Sequence, residues 1–238
     1  NSAFGSGSLI SYSWNNVPLT PDNLVTSPLI DLTTVTAGNV FLLFDRQAGD
    51  GGYPAEKYSV SVTTTNVAGD VIATTPLLTE TLPDNEFATS AVDLSTFIGQ
   101  SVYIAFRHYD CVDQYRIIVD NVTLKSLPPN DVALKKLNIA KFIVKDTNYP
   151  IYVLVENKGS NPITSLQITS NDGTNEIIET FSLNLAPGQQ EVVAPPTPLN
   201  YASVAEKNLS VTITQVNGVA DINPADNAIS TSFRVVSQ

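Results

Sequence analysis

The run Ser101-Val102-Tyr103-Ile104-Ala105-Phe106 decides the fold class. Val102, Ile104 and Phe106 fall on one side of an extended chain, because successive side chains of a strand point to opposite faces. Tyr58-Ser59-Val60-Ser61-Val62 alternates in the same way, and Val40-Phe41-Leu42-Leu43-Phe44 is a third β-branched or aromatic run bounded by turn residues. Arg116-Ile117-Ile118-Val119 is shorter and stops at Asp120-Asn121. No stretch repeats apolar residues at helical spacing, and Val92–Phe97 offers at most one turn.

Working outward, the text changes at Ser126-Leu127-Pro128-Pro129-Asn130-Asp131. Paired prolines donate no ladder hydrogen bonds and favour a stiff, extended chain. A second strand series follows: Ile151–Asn157, Ser165–Thr169, Ile177–Leu185, Leu209–Thr214 and Ile229–Val236. Asp172-Gly173 and Asn217-Gly218 are hairpin pairs able to take positive φ. Short strands and turn signals at this spacing, over about 100 residues, match an immunoglobulin-like sandwich. The expected organisation is all-β, with one domain at 1–126, a Pro-rich linker at 127–131 and a second domain at 132–238.

The 238 residues suffice for two cores, with 42% hydrophobic and only 15% charged residues. Net charge is −11, divided as −8 over 1–128 and −3 over 129–238. Such a balance argues against nucleic acid, whose phosphates need clustered cations. It argues equally against an anionic membrane surface. No apolar run reaches the 18 residues of a membrane span. The start, Asn1-Ser2-Ala3-Phe4-Gly5-Ser6-Gly7, lacks the basic and apolar regions of an export signal, and reads as a trimmed or mature form. A single cysteine, Cys111, excludes an intrachain disulfide.

Catalytic groupings are missing. The lone His108 and Cys111 are three residues apart, a spacing that sends their side chains to different faces or past the strand end. No third group is identifiable for catalysis, and one histidine plus one cysteine cannot make a usual zinc site without two carboxylates. The glycines of Gly49-Asp50-Gly51-Gly52 permit a tight loop, without the lysine of a phosphate loop. Carboxylates remain. Asp45, Asp50 and Glu56 crowd the loop after the Phe41–Phe44 run, with Asp110, Asp113 and Asp120 near the end of the domain. Calcium takes six to eight oxygen ligands from such loops, although isolated acids in turns are usually just solvated. Tyr53, Tyr58, Tyr103, Tyr109 and Tyr115 either contribute to a sugar-stacking face or serve as cross-strand partners.

Four segments in order then resemble one family. Tyr53-Pro54-Ala55-Glu56-Lys57-Tyr58 is similar to the "YPAEHY" segment of cleaved-adhesin domains, the haemagglutinin/adhesin type found in gingipain proteases. Ala105-Phe106-Arg107-His108-Tyr109-Asp110-Cys111-Val112-Asp113 is similar to their "AFRHYNCTD", and Ile118-Val119-Asp120-Asn121-Val122 to "LLDDI". Pro21–Pro28 resembles "PDNWLVSP", with Leu24 in place of tryptophan. Lys57 stands where the family often has histidine, and Asn121 where it often has a second aspartate.

The resemblance implies a jelly-roll β-sandwich, similar to MAM and carbohydrate-binding domains, with structural Ca²⁺. It makes Glu56 and Asp120 the first expected ligands, and Asp45 and Asp50 the next. The second domain resembles bacterial cell-adhesion-related immunoglobulin-like modules through Val153–Gly159, Leu183–Gly188 and Asn223–Asn227. The expected function is non-enzymatic: a monomeric cell-adhesion or ligand-binding module of a bacterial surface or secreted protein, presenting loops to a host protein or glycan. The alternatives are a non-catalytic accessory or spacer segment of a larger secreted hydrolase, and a carbohydrate-binding module.

Overall fold

In the computed structural model the run at Ser101–Phe106 opens a nine-residue strand that pairs along both edges. Residues 7–36 and 38–237 are described; the start at 1–6, on which the trimmed-form reading mainly rests, lies outside them. The chain divides into two compact units, Asn1–Ser126 and Leu127–Gln238.

In the first unit the strands are β1 (Leu9–Tyr12), β2 (Asp22–Thr26), β3 (Ile30–Asp31), β4 (Phe41–Ala48), β5 (Lys57–Thr63), β6 (Leu78–Thr81), β7 (Ala88–Asp93), β8 (Ser101–Tyr109) and β9 (Arg116–Lys125). One sheet has the order β1-β9-β4-β7, the other β2-β8-β5-β6 with β3 also on β8, and every pairing is antiparallel. Two four-stranded sheets with this interleaved order form a jelly roll. The jelly roll is what the family resemblance implies, and the strand alternation agrees with the core: Val102, Ile104, Val60 and Val62 face inward and are buried beside Leu42, Phe44 and Ile117. Phe44 stands edge-on to Tyr58 and Phe106, with ring centroids 6.1 and 5.0 Å away. Each such side chain contributes roughly 1.5–3 kcal/mol by leaving water.

Two local features matter for the site. Between Leu43 and Asp45 the β4–β9 register shifts, with Leu43 opposite Thr123 and Asp45 opposite Asp120. Asn121 absorbs the extra residue at φ 51°, a left-handed conformation that asparagine tolerates. At the end of β8, Asp110 takes φ 52° and reverses the chain.

The second unit contains β10 (Val132–Asn138), β11 (Phe142–Val144), β12 (Tyr152–Asn157), β13 (Ile163–Asn171), β14 (Glu176–Leu185), β15 (Gln190–Val193), β16 (Ala205–Val216) and β17 (Ala228–Val236). It is a sandwich of a three-stranded sheet, β10-β12-β15, and a five-stranded sheet, β11-β17-β16-β13-β14. Val153, Val155, Ile168, Val211 and Phe233 are among its core. Asn217 and Gly218 both take positive φ in their turn. At the other pair only Gly173 does, while the Asp172 carboxylate accepts the Thr174 and Asn175 amides at 2.8 and 2.7 Å.

One expectation changes. A six-residue helix at Ala68–Ala73 escaped the periodicity reading, since fewer than two turns hold too few apolar positions to show a repeat. The expected turn near Val92–Phe97 is a single 3₁₀ turn at Ser95–Phe97, and Val92 itself belongs to β7. Residues 127–131 are built into the second unit. Pro128 and Pro129 carbonyls accept the Ser160 and Asn161 amides at 2.7 and 3.0 Å, and Asp131 O accepts the Lys158 amide at 2.8 Å. Prolines lack a donor but keep the acceptor. Gly159 is needed there: a Cβ would sit 2.9 Å from Asp131 N and 3.0 Å from Pro129 O.

Candidate functional site

Two segments that are distant in sequence meet at one end of the jelly roll. The Tyr58–Thr63 part of β5 lies against β8, with Tyr58 opposite His108. Glu56 just precedes β5, is fully buried, and becomes a hub. Its Oε1 accepts Ser13 Oγ–H at 2.8 Å and the Tyr115 amide at 2.8 Å. Its Oε2 lies 2.8 Å from His108 Nε2 and 3.4 Å from Cys111 Sγ. His108 Nδ1 is 2.7 Å from Ser11 Oγ, which also accepts Asn23 Nδ2–H at 2.9 Å. With Glu56 ionised, the network assigns the proton of His108 to Nε2, leaving Nδ1 to accept from Ser11.

Burial alone would raise the Glu56 carboxyl, but hydrogen bonds from His108, the Tyr115 amide and Ser13 outweigh it and hold the group below its ordinary value. Burial pushes the Cys111 thiol up to about 11, helped by the negative charge of Glu56 and Asp110. Cys111 is therefore a thiol at neutral pH.

This arrangement corrects the expectation that the spacing sends the His108 and Cys111 side chains to different faces or past the strand end. Cys111 Sγ lies 3.1 Å from His108 Nε2, because the left-handed Asp110 folds the chain back over the end of β8. Glu56 is the third group that sequence spacing could not supply, since it comes 52 positions earlier. Glu56 and Cys111 approach the same imidazole nitrogen. A nucleophile-base-orienter relay needs them on opposite nitrogens, so the geometry lacks that relay.

The hub positions a cleft of about 480 Å³ lined by Trp14, Asp50, Tyr53, Asp113, Gln114 and Tyr115. Ser13 Oγ accepts the amides of Gln114 and Tyr115 at 3.2 and 3.1 Å. Trp14 N–H donates to Tyr115 O at 3.2 Å, and Ala55 N–H to Gln114 Oε1 at 3.0 Å. Three loops are thus tied together. Gly49 allows their close approach, since a Cβ there would lie 2.5 Å from Arg116 Cγ and 2.9 Å from Tyr115 Cδ1. Tyr53 is 58% and Trp14 36% exposed, so both present aromatic surface to the solvent. Tyr58 is a core residue. Trp14 was missed in the sequence; a lone tryptophan among Ser, Asn and Pro was the available signal.

The four expected calcium ligands do not assemble. Among the described residues, the group of three or more His, Cys, Asp or Glu ligand atoms is Glu56, His108 and Cys111, all within 4.8 Å of one another. Asp50 lies at the cleft, where its Oδ1 accepts the Gly52 amide at 2.7 Å. Asp45 and Asp120 are directly opposite across β4 and β9. Asp45 accepts Thr89 Oγ1–H at 2.6 Å and Asn121 Nδ2–H at 2.7 Å. Asp120 Oδ1 accepts the Asn121 amide at 2.7 Å, while its Oδ2 is buried without a hydrogen-bond partner. Asp120 Oδ2 is thus a buried oxygen of the expected set that no protein donor meets. Lys57, a departure from the resembled pattern, pairs with Asp110.

Residues 1–124 match the family description Cleaved Adhesin Domain. The chain belongs to the cleaved adhesin family. Lys-gingipain W83 of Porphyromonas gingivalis is 32% identical over 136 residues, which cover 50% of this chain and 7% of that relative. Gingipain R1 and Hemagglutinin A of the same organism are 31% identical over 136 residues, with 50% of this chain covered and 7% and 6% of theirs. The chain thus spans a small part of the curated relatives it matches. Among solved structures, the K3 cleaved adhesin domain of Lys-gingipain from P. gingivalis W83 has TM-score 0.44 at 28% identity, covering 50% of this chain and 74% of that one. A CARDB domain from Pyrococcus furiosus has TM-score 0.39 at 14% identity, covering 47% of this chain and 93% of that one. Within the cleaved adhesin domain no helix among the described residues is long and apolar enough to cross a membrane, nor is one in the second unit.

Proposed function

We propose that this chain is a non-enzymatic adhesion module of a bacterial surface or secreted protein, and that its first unit binds a host glycan in the Trp14–Tyr53 cleft. One observation carries the reading. Exposed aromatic surface from Tyr53 and Trp14 stands beside the polar ends of Asp50, Asp113 and Gln114 in a single cleft. A sugar ring offers an apolar face for the aromatics and hydroxyls for the carboxylates and amide, so one ligand satisfies both kinds of lining. Asp50 and Asp113 disfavour sialylated or sulfated sugars, so neutral or amino sugars suit the cleft. The lack of a catalytic relay and the protonated Cys111 thiol support the non-enzymatic part.

Immobilised neutral and amino-sugar glycans should retain the unmodified chain, and Tyr53→Ala should weaken retention at least tenfold while leaving the melting temperature within about 2 °C, since the ring is mostly exposed. Binding to a host protein, unchanged in Tyr53→Ala and insensitive to deglycosylation, would refute the glycan reading.

A structural Ca²⁺ at Asp120 Oδ2 and Asp45 is a second proposal, supported by the unpartnered buried oxygen. It leaves Glu56 and Asp50 outside the site.

A further inference from the structure

We infer that Glu56, His108 and Cys111 form a binding site for a zinc-class divalent ion beneath the cleft, separate from the glycan site and from any calcium. Three donor atoms of the types zinc prefers converge: Glu56 Oε2, His108 Nε2 and Cys111 Sγ. Their separations are 2.8 Å for O–N, 3.1 Å for N–S and 3.4 Å for O–S. A tetrahedral zinc with ordinary bond lengths places such pairs about 3.4–3.6 Å apart. The O–N edge must therefore open by about 0.6 Å and the others by less, within reach of small side-chain rotations.

The surrounding bonds already have the form of an outer shell. The atoms that would not touch the metal are the ones held by the protein: Glu56 Oε1 by Ser13 and the Tyr115 amide, and His108 Nδ1 by Ser11. Such bonds orient ligands and fix the histidine tautomer in metal sites. Glu56 and His108 are buried, while Cys111 is partly exposed and marks the side of entry. The fourth corner falls to water.

The proton balance is defined. Metal capture of Nε2 moves the imidazole proton to Nδ1, where the Ser11 hydroxyl switches from donor to acceptor. Capture of the thiol as thiolate releases its proton to solvent, so one proton leaves per ion bound. Calcium, which takes oxygen ligands, does not compete.

The test uses the full chain with Co²⁺ as a spectroscopic substitute and Zn²⁺ as the competitor. One equivalent of Co²⁺ should give a thiolate-to-cobalt charge-transfer band in the near ultraviolet, bleached by Zn²⁺ and untouched by Ca²⁺. Cys111→Ser should abolish the band, and Asp120→Asn should keep it. In the unmodified chain, which avoids any folding defect of a variant, Zn²⁺ should slow alkylation of Cys111 by iodoacetamide at least tenfold. Calorimetry in two buffers should report one proton released per Zn²⁺. Absence of the charge-transfer band, an equal band in folded Cys111→Ser, or alkylation that ignores Zn²⁺ would each overturn the site.

Discussion

Glu56 in the first unit and Asn157 in the second are both fully buried polar side chains that stitch loops to a sandwich, yet they differ in what they leave over. Asn157 Nδ2 donates to the carbonyls of Asn161 and Leu185, both at 2.8 Å, and its Oδ1 accepts the Gly159 amide at 2.8 Å. Its partners are backbone groups, so its amide is consumed by turns. Glu56 meets one backbone amide and three side chains, and one oxygen faces a histidine and a thiol. A neutral amide that caps backbone is architecture alone. A buried carboxylate among ionisable partners is architecture that can also respond to pH and to metal.

The contrast can be broken most forcefully at Glu56. Glu56→Ala takes the carboxylate partner from the Ser13 hydroxyl and His108, leaves the Tyr115 amide with Ser13 Oγ, and should cost about 3–5 kcal/mol of stability, the range for breaking a buried charged network. Scanning calorimetry should show the loss in one transition, with the second unit unaffected. Asn157→Ala removes three hydrogen bonds, though the Gly159 amide keeps its bond to Asp131 O, and should cost about 2–3 kcal/mol, in the second unit alone. If both variants lowered a single shared transition, the two units would not be independent.

Acid should separate the hubs next. The Glu56 carboxyl is held below its ordinary value of 4.5, so its contribution is present above that value and is lost as pH falls through the lower folded value. The first unit should therefore lose stability below about pH 4.5 more steeply than Glu56→Gln, which has no carboxyl to protonate. Urea midpoints across pH 3–7, on the order of the carboxylate range, would show it. Equal slopes would assign the acid sensitivity to other carboxylates. At Asp45 and Asp120 the expected effect depends on added calcium. Calcium at 100-fold over its dissociation constant should add about 2.7 kcal/mol, and less at lower excess, reversed by EDTA. In Asp120→Asn the calcium shift should shrink; a melting point indifferent to calcium in the unmodified chain would remove that site.

Much of the fold was legible. The alternation in β5 and β8 announced a two-faced sheet, and their inward residues are the core. Elements such as β1, β6 and β7 give little signal because they are short: Leu9–Tyr12 and Leu78–Thr81 each pair along one edge only and bury little. The site was half legible. The segments around Glu56 and His108 were singled out and do meet, but the sequence reading spread attention over Asp45, Asp50 and Asp120 as one set. Register puts Asp45 against Asp120 at a bulge, while Asp50 goes to the cleft.

Composition and periodicity by themselves determined an all-β chain of two cores, because strand alternation and turn chemistry are local properties that survive without a partner. The convergence of Glu56, His108 and Cys111 was decided only by tertiary structure. It needs the β5–β8 register and the left-handed turn at Asp110, and neither the pairing of distant strands nor a φ taken by a non-glycine residue is written in spacing.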